Sequence, residues 1–104
     1  MMIDIEDLLT RARAAKNGRL AEAVVHDGPL RQTVVALAAG TELAPHNAPI
    51  AASILVLAGS LEVVGSELLP ASAVELVSLA HERHGVRASE DCVFLLTTVA
   101  RDSM

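Results

Sequence analysis

Apolar positions change their period along the chain, and the change marks out its elements. From Asp4 to Lys16, Ile5, Leu8, Leu9 and Ala12 recur at helical spacing, which predicts one amphipathic helix. Asp4 is placed to cap its start. Glu6 and Asp7 suit the positive end of the helix dipole, and Arg11, Arg13 and Lys16 the negative end. Asn17-Gly18 supplies the stop. Beyond it, "LAEAVVHDGPLRQTVVALAAG" reads as two strands around the turn signal His26-Asp27-Gly28-Pro29, a hairpin. Further strands are predicted over Ile54–Ala58, Leu61–Val64, Val74–Leu79 and Cys92–Ala100. Gly59-Ser60, Gly65-Ser66, Pro70 and the polar run from His81 to Asp91 separate them. Short strands divided by turns, with no repeated helix to carry parallel crossovers, predict an all-β sandwich or barrel behind a short N-terminal helix. The expected division is a helix over residues 1–18 and a single barrel domain over 19–104.

Composition narrows the function classes. The 104 residues are 52% hydrophobic, enough for one core, but they include a single Phe and neither Trp nor Tyr. Stacking of bases or sugars on aromatic rings therefore has no basis. Eight Lys and Arg against thirteen Asp and Glu give a formal charge of -5, and the basic residues are scattered, which argues against nucleic acid. A lone cysteine, Cys92, makes no internal disulfide and suits a reducing compartment. The N-terminus has no basic start followed by an apolar run, and no window reaches the roughly eighteen apolar residues of a membrane span. The expectation is a cytoplasmic protein with no membrane partner.

Candidate chemistry centres on "GTELAPHNAPIAASILVLAG", where His46 stands alone among small, apolar and turn-forming residues. Five residues separate Gly40 from His46, and the next position on the same face of an extended strand is Ala48. This spacing resembles the first motif of the cupin superfamily: Gly, five residues, His-x-His, three or four residues, Glu, six residues, Gly. Both glycines fit, as Gly40 and Gly59, but His-x-His becomes His46-Asn47-Ala48 and the Glu position falls on Ala52. The second cupin motif can be laid over "AVELVSLAHERHGVRASEDCVFLL" with His84 as its histidine. Ala73, Leu79, His81 and Ala88 then stand where the family has Gly, Pro, Gly and Asn. The resemblance runs from about Leu30 to Arg101 and implies a double-stranded β-helix, the jelly-roll barrel, whose mouth holds a metal when its ligands are present.

A cupin metal normally takes three His and one Glu, a mixed set that suits Fe, Mn, Ni, Cu or Zn and leaves positions open for substrate. Here the resemblance retains only His46 and His84. A set of two His and one carboxylate would need an acid from elsewhere, such as Glu62 or Glu75. Alanine at 48 and 52 also removes bulk, so the barrel mouth is expected to be wider and more apolar. No cofactor is expected, a divalent transition metal on His46 and His84 being the alternative. The leading expectation is a non-catalytic or weakly active barrel that binds a small apolar or weakly acidic molecule, with His46 and His84 as polar anchors. The alternatives are a metal-dependent oxygenase or isomerase on the same pair, and a structural module acting as a dimer.

The remaining candidates read more simply. His81 and His26 are expected in a loop and a turn. Cys92, beside Asp91, is expected as a buried hydrophobe with a raised pKa rather than a nucleophile. Ser53, Ser60 and Ser66 lack the nucleophile-elbow pattern, so serine hydrolysis is set aside and no catalytic residue is assigned. Glu82, Arg83, Arg87, Glu90 and Asp91 are expected to form a solvated loop. The helix is expected to pack on its own barrel, and the abundance of apolar residues leads to the expectation of a homodimer.

Overall fold

A computed structural model describes residues 2–46, 51–79 and 82–100. Helix α1 spans Ile5–Ala14, and nine strands follow: β1 Arg19–Asp27, β2 Leu30–Leu37, β3 Glu42–His46, β4 Ala51–Ala58, β5 Ser60–Val64, β6 Leu68–Ser72, β7 Leu76–Ser78, β8 His84–Ala88 and β9 Cys92–Val99. They form two antiparallel sheets, one in the order β1-β2-β9-β4-β7 and one in the order β3-β8-β5-β6. This is the all-β jelly roll that the cupin resemblance implies, behind the short helix that the apolar spacing predicts.

Side-chain parity shows how the sheets are used. Val35 and Leu37 of β2, Ile54 and Val56 of β4, and Cys92 and Phe94 of β9 face Leu61 and Val63 of β5, Ala71 of β6, and Val86 and Ala88 of β8 in one buried cluster. That cluster fills the space between the sheets. The intervening residues Val34, Ala36 and Val93 are also buried, in a second cluster with Leu8 and Ala12 of α1. The helix therefore packs on its own barrel, covering the outer face of the five-stranded sheet. This accounts for the unbroken apolar runs of β2 and β9, since a strand buried on both faces loses the apolar–polar alternation. The cap is as expected: Asp4 Oδ1 accepts a 3.0 Å hydrogen bond from the Asp7 amide.

The hairpin is tighter than the turn signal suggested, because Asp27 pairs with Leu30 and only Gly28-Pro29 lie between the strands. His26 stays in β1, exposed, opposite Arg31. Three strands fall where no strand was predicted. Pro70, expected as a separator, lies in the middle of β6 opposite Glu62. It is tolerated because β6 is an edge strand and has one side on which no ladder donor is needed. Strand β8 lies within the polar run from His81 to Asp91, where its short alternation, with Gly85 and Arg87 between the inward residues, is masked by the charges that flank it. Strand β3, with two prolines nearby, is the other edge of the same sheet.

The two glycines of the first motif have structural reasons. Gly40 adopts φ 84° and Gly59 φ 73°, the left-handed region that side chains rarely enter. A Cβ on Gly59 would also lie 2.0 Å from the carbonyl oxygen of Asp91. The spacing of motif glycines thus marks two tight turns of the barrel.

Candidate functional site

The two histidines of the resemblance meet in the register of β3 and β8. Glu42 pairs with Arg87 and Leu43 with Val86, and then the register shifts so that His46 pairs with His84. An undisturbed ladder would have put Pro45 opposite His84. One extra residue in β3, a β-bulge at Ala44-Pro45, moves His46 into that place. Bulges of this kind sit at sheet edges and re-aim the residues that follow.

His84 begins β8 with the same inward parity as Val86 and Ala88, and its side chain is only 12% exposed. On its other side the backbone of Gly65, just past the end of β5, lies close against the ring. A Cβ at position 65 would stand 2.9 Å from His84 Cδ2 and 3.0 Å from Glu82 Oε1. His84 is therefore held between strand β3 and the β5–β6 turn.

Glu82 is the residue that sequence reasoning missed. It lies in an exposed loop as expected, but it also bridges to the β5–β6 turn: its Oε1 accepts hydrogen bonds from the Ser66 amide at 3.2 Å and the Ser66 hydroxyl at 2.8 Å. The same oxygen lies 3.8 Å from His84 Nε2. The hydroxyl and then the amide of Ser66 hold the Glu82 carboxyl below the usual carboxylate range, and His84 adds to that direction. Nothing local in the sequence joins Ser66 to Glu82. Only the pairing of β5 with β8 brings their neighbourhoods together.

A cavity of about 140 Å³ opens beside this cluster. Its lining combines His84, Glu82 and Ser66 with Glu67, Leu69, Ser78 and Leu79. Ala52, at the family's Glu position, shares the inward parity of Ile54 and Val56, and its carbonyl accepts from the Leu79 amide at 2.9 Å. The first-motif acid position therefore faces the barrel interior with a methyl group. A larger cavity of about 180 Å³ lies on the opposite face of the five-stranded sheet, between α1 and residues Glu22, Val24 and Val34.

The acids considered as substitute metal ligands are engaged elsewhere. Glu62 faces outward from β5, 3.6 Å from Arg87 Nη1. Glu75 accepts from the amide and hydroxyl of Ser72 at 2.8 and 3.1 Å. Among the described residues no group of three or more His, Cys, Asp and Glu is arranged to hold a metal ion. His81 and Ala48 lie outside the described residues. A resident transition ion of the family's kind needs at least three such donors, and among the described residues only Glu82 stands as an acid beside the His84 imidazole.

The other charged residues of the expected loop are also structural. Arg87 is on β8 and donates to Glu42 across the β3 pair at 2.6 Å. Glu90 accepts from the Ser60 hydroxyl at 2.7 Å. Asp91 accepts from the Ala39 amide at 2.8 Å and from Arg13 Nε at 2.6 Å. Cys92 is buried as expected, with its thiol pushed up to about 11, first by burial and then by Asp91. Among the described residues no helix is long and apolar enough to cross a membrane.

No sequence-family model matches the chain, and no curated protein does. Solved structures do. An RmlC-like cupin protein from Desulfovibrio desulfuricans is 29% identical with a TM-score of 0.70, over 78% of this chain and 81% of that one. KdgF from a Halomonas species is 26% identical with a TM-score of 0.69, over 86% and 87%. A conserved protein of unknown function from Streptococcus pyogenes is 21% identical with a TM-score of 0.77, over 99% of this chain and 90% of that one. The last likeness extends over α1 as well as the barrel.

Proposed function

Since the chain is a small cupin domain, we propose that it binds a small organic molecule at the mouth of its barrel without a resident metal, and that it is non-catalytic or weakly active. The observation that carries this reading is the cavity of about 140 Å³ beside the largely buried His84. A cavity of that size suits a guest of about six non-hydrogen atoms, since engineered cavities near 150 Å³ take up benzene. His84 supplies a group that donates or accepts a hydrogen bond, and His46, its backbone partner in the strand pair, is the second anchor the sequence proposes. Leu69 and Leu79 supply apolar surface.

The donor count separates this reading from the metal-dependent enzyme. Ala52 brings no ligand atom, while Glu62 and Glu75 are held by Arg87 and Ser72. Glu82 is the acid beside the imidazole, and Ser66 already holds the oxygen that approaches His84.

Thermal-shift measurements with a panel of small metabolites test the proposal. At least one compound of this size should raise the melting temperature of the wild-type protein and fail to do so in His84→Ala. A panel that stabilises the His84→Ala protein as well as the wild type would contradict it.

A further inference from the structure

We propose that the barrel-mouth cavity selects its ligand by charge, taking a small primary amine in its ammonium form and rejecting carboxylates, with Glu82 as the selecting residue. The inference rests on the ligand-binding reading above and names the class of ligand. Sequence alone leads to a small apolar or weakly acidic molecule anchored by two imidazoles. The folded cavity differs because two carboxylates, Glu67 and Glu82, line it, and neither Lys nor Arg is among its described lining residues. The sequence makes this a regional feature: no Lys or Arg occurs between Arg31 and Arg83, the stretch that supplies β3 to β7.

Glu82 is partly exposed, but its position is set by hydrogen bonds. Its Oε1 is held by the amide and hydroxyl of Ser66 and lies 3.8 Å from His84 Nε2. Oε2 takes no part in those contacts. A guest carboxylate at the imidazole would therefore sit beside a fixed negative charge of the same sign, whereas an ammonium group could donate to that carboxylate in a charge-assisted hydrogen bond. Ser78 offers a further hydroxyl, and Leu69 and Leu79 would cover a short hydrocarbon tail. The volume of about 140 Å³ limits that tail to a few carbons.

Three probes of nearly equal size distinguish the outcomes: n-butylamine, n-butanol and butyrate, each titrated into isotope-labelled protein while the amide signals of Gly65, Ser66 and Leu79 are followed. Butylamine should bind at least about tenfold more tightly than butanol, and butyrate should leave these signals in place. Glu82→Gln, which keeps an acceptor for Ser66, should remove the preference for the amine, and Glu67→Gln should reduce it by a smaller factor. Butyrate binding as well as butylamine, or an amine preference that survives Glu82→Gln in a folded protein, overturns the charge selection. Equal binding of amine and alcohol overturns it too, while leaving the cavity as a ligand site. If none of the three probes moves these signals, the ligand-site reading falls and this inference with it.

Discussion

At Gly59 a single methyl group would meet two obstacles at once. The residue adopts φ 73°, and an added Cβ would lie 2.0 Å from the Asp91 carbonyl oxygen, which is backbone and has little room to retreat. Gly59→Ala is therefore expected to lower stability by at least about 2 kcal/mol, the left-handed conformation alone costing about 1–2 kcal/mol. A urea midpoint within error of the wild type would show that the turn relaxes freely. The same physics explains why the glycines of the motif were legible in the sequence: a backbone angle restricts residue type at one position. Glu82 was not legible, because its neighbours there are charged, and its hydrogen bonds go to a residue sixteen positions away.

Between elements, Asp91 fastens the helix to the barrel. One carboxylate oxygen accepts from the Ala39 amide before β3, and the other from Arg13 in the last turn of α1. The Ala39 amide, followed by Arg13, holds the Asp91 carboxyl below its ordinary value of 3.8. A carboxyl depressed in the folded state contributes stability above its unfolded pKa and loses it as pH falls through the native value. Asp91→Asn should therefore cost no more than about 1 kcal/mol near neutral pH, given the partial exposure of the pair. That deficit should shrink below about pH 4, as the wild type loses the same contribution. Urea midpoints of both proteins at several pH values check this, and a deficit constant down to pH 2 would contradict it. Strand β8 escaped sequence reading for a related reason. Arg87 points outward to Glu42 and Glu62, and its charge, beside Gly85 and within a polar run, makes the segment resemble a loop. The bulge in β3 was also hidden, since only the partner strand reveals that one residue is extra.

Over the whole molecule, the pattern of short strands and the cupin spacing together led to the correct fold, because turn chemistry and core-facing parity are written locally. The apolar surplus was harder to apportion. Much of it lies under α1, in Val34, Ala36 and Val93, while Leu68, Val74 and Leu76 remain exposed along β6 and β7 and the turn joining them. The site follows from the same topology. One bulged edge strand, one inward-facing histidine and one glycine-lined turn converge at the barrel mouth, where the family's acid position carries a methyl group. The most direct test is the metal content of wild-type protein purified without chelator, measured by elemental analysis beside His46→Ala and His84→Ala. Transition metal well below one equivalent in all three proteins is the predicted result. About one equivalent in the wild type, lost in both variants, would contradict a metal-free site.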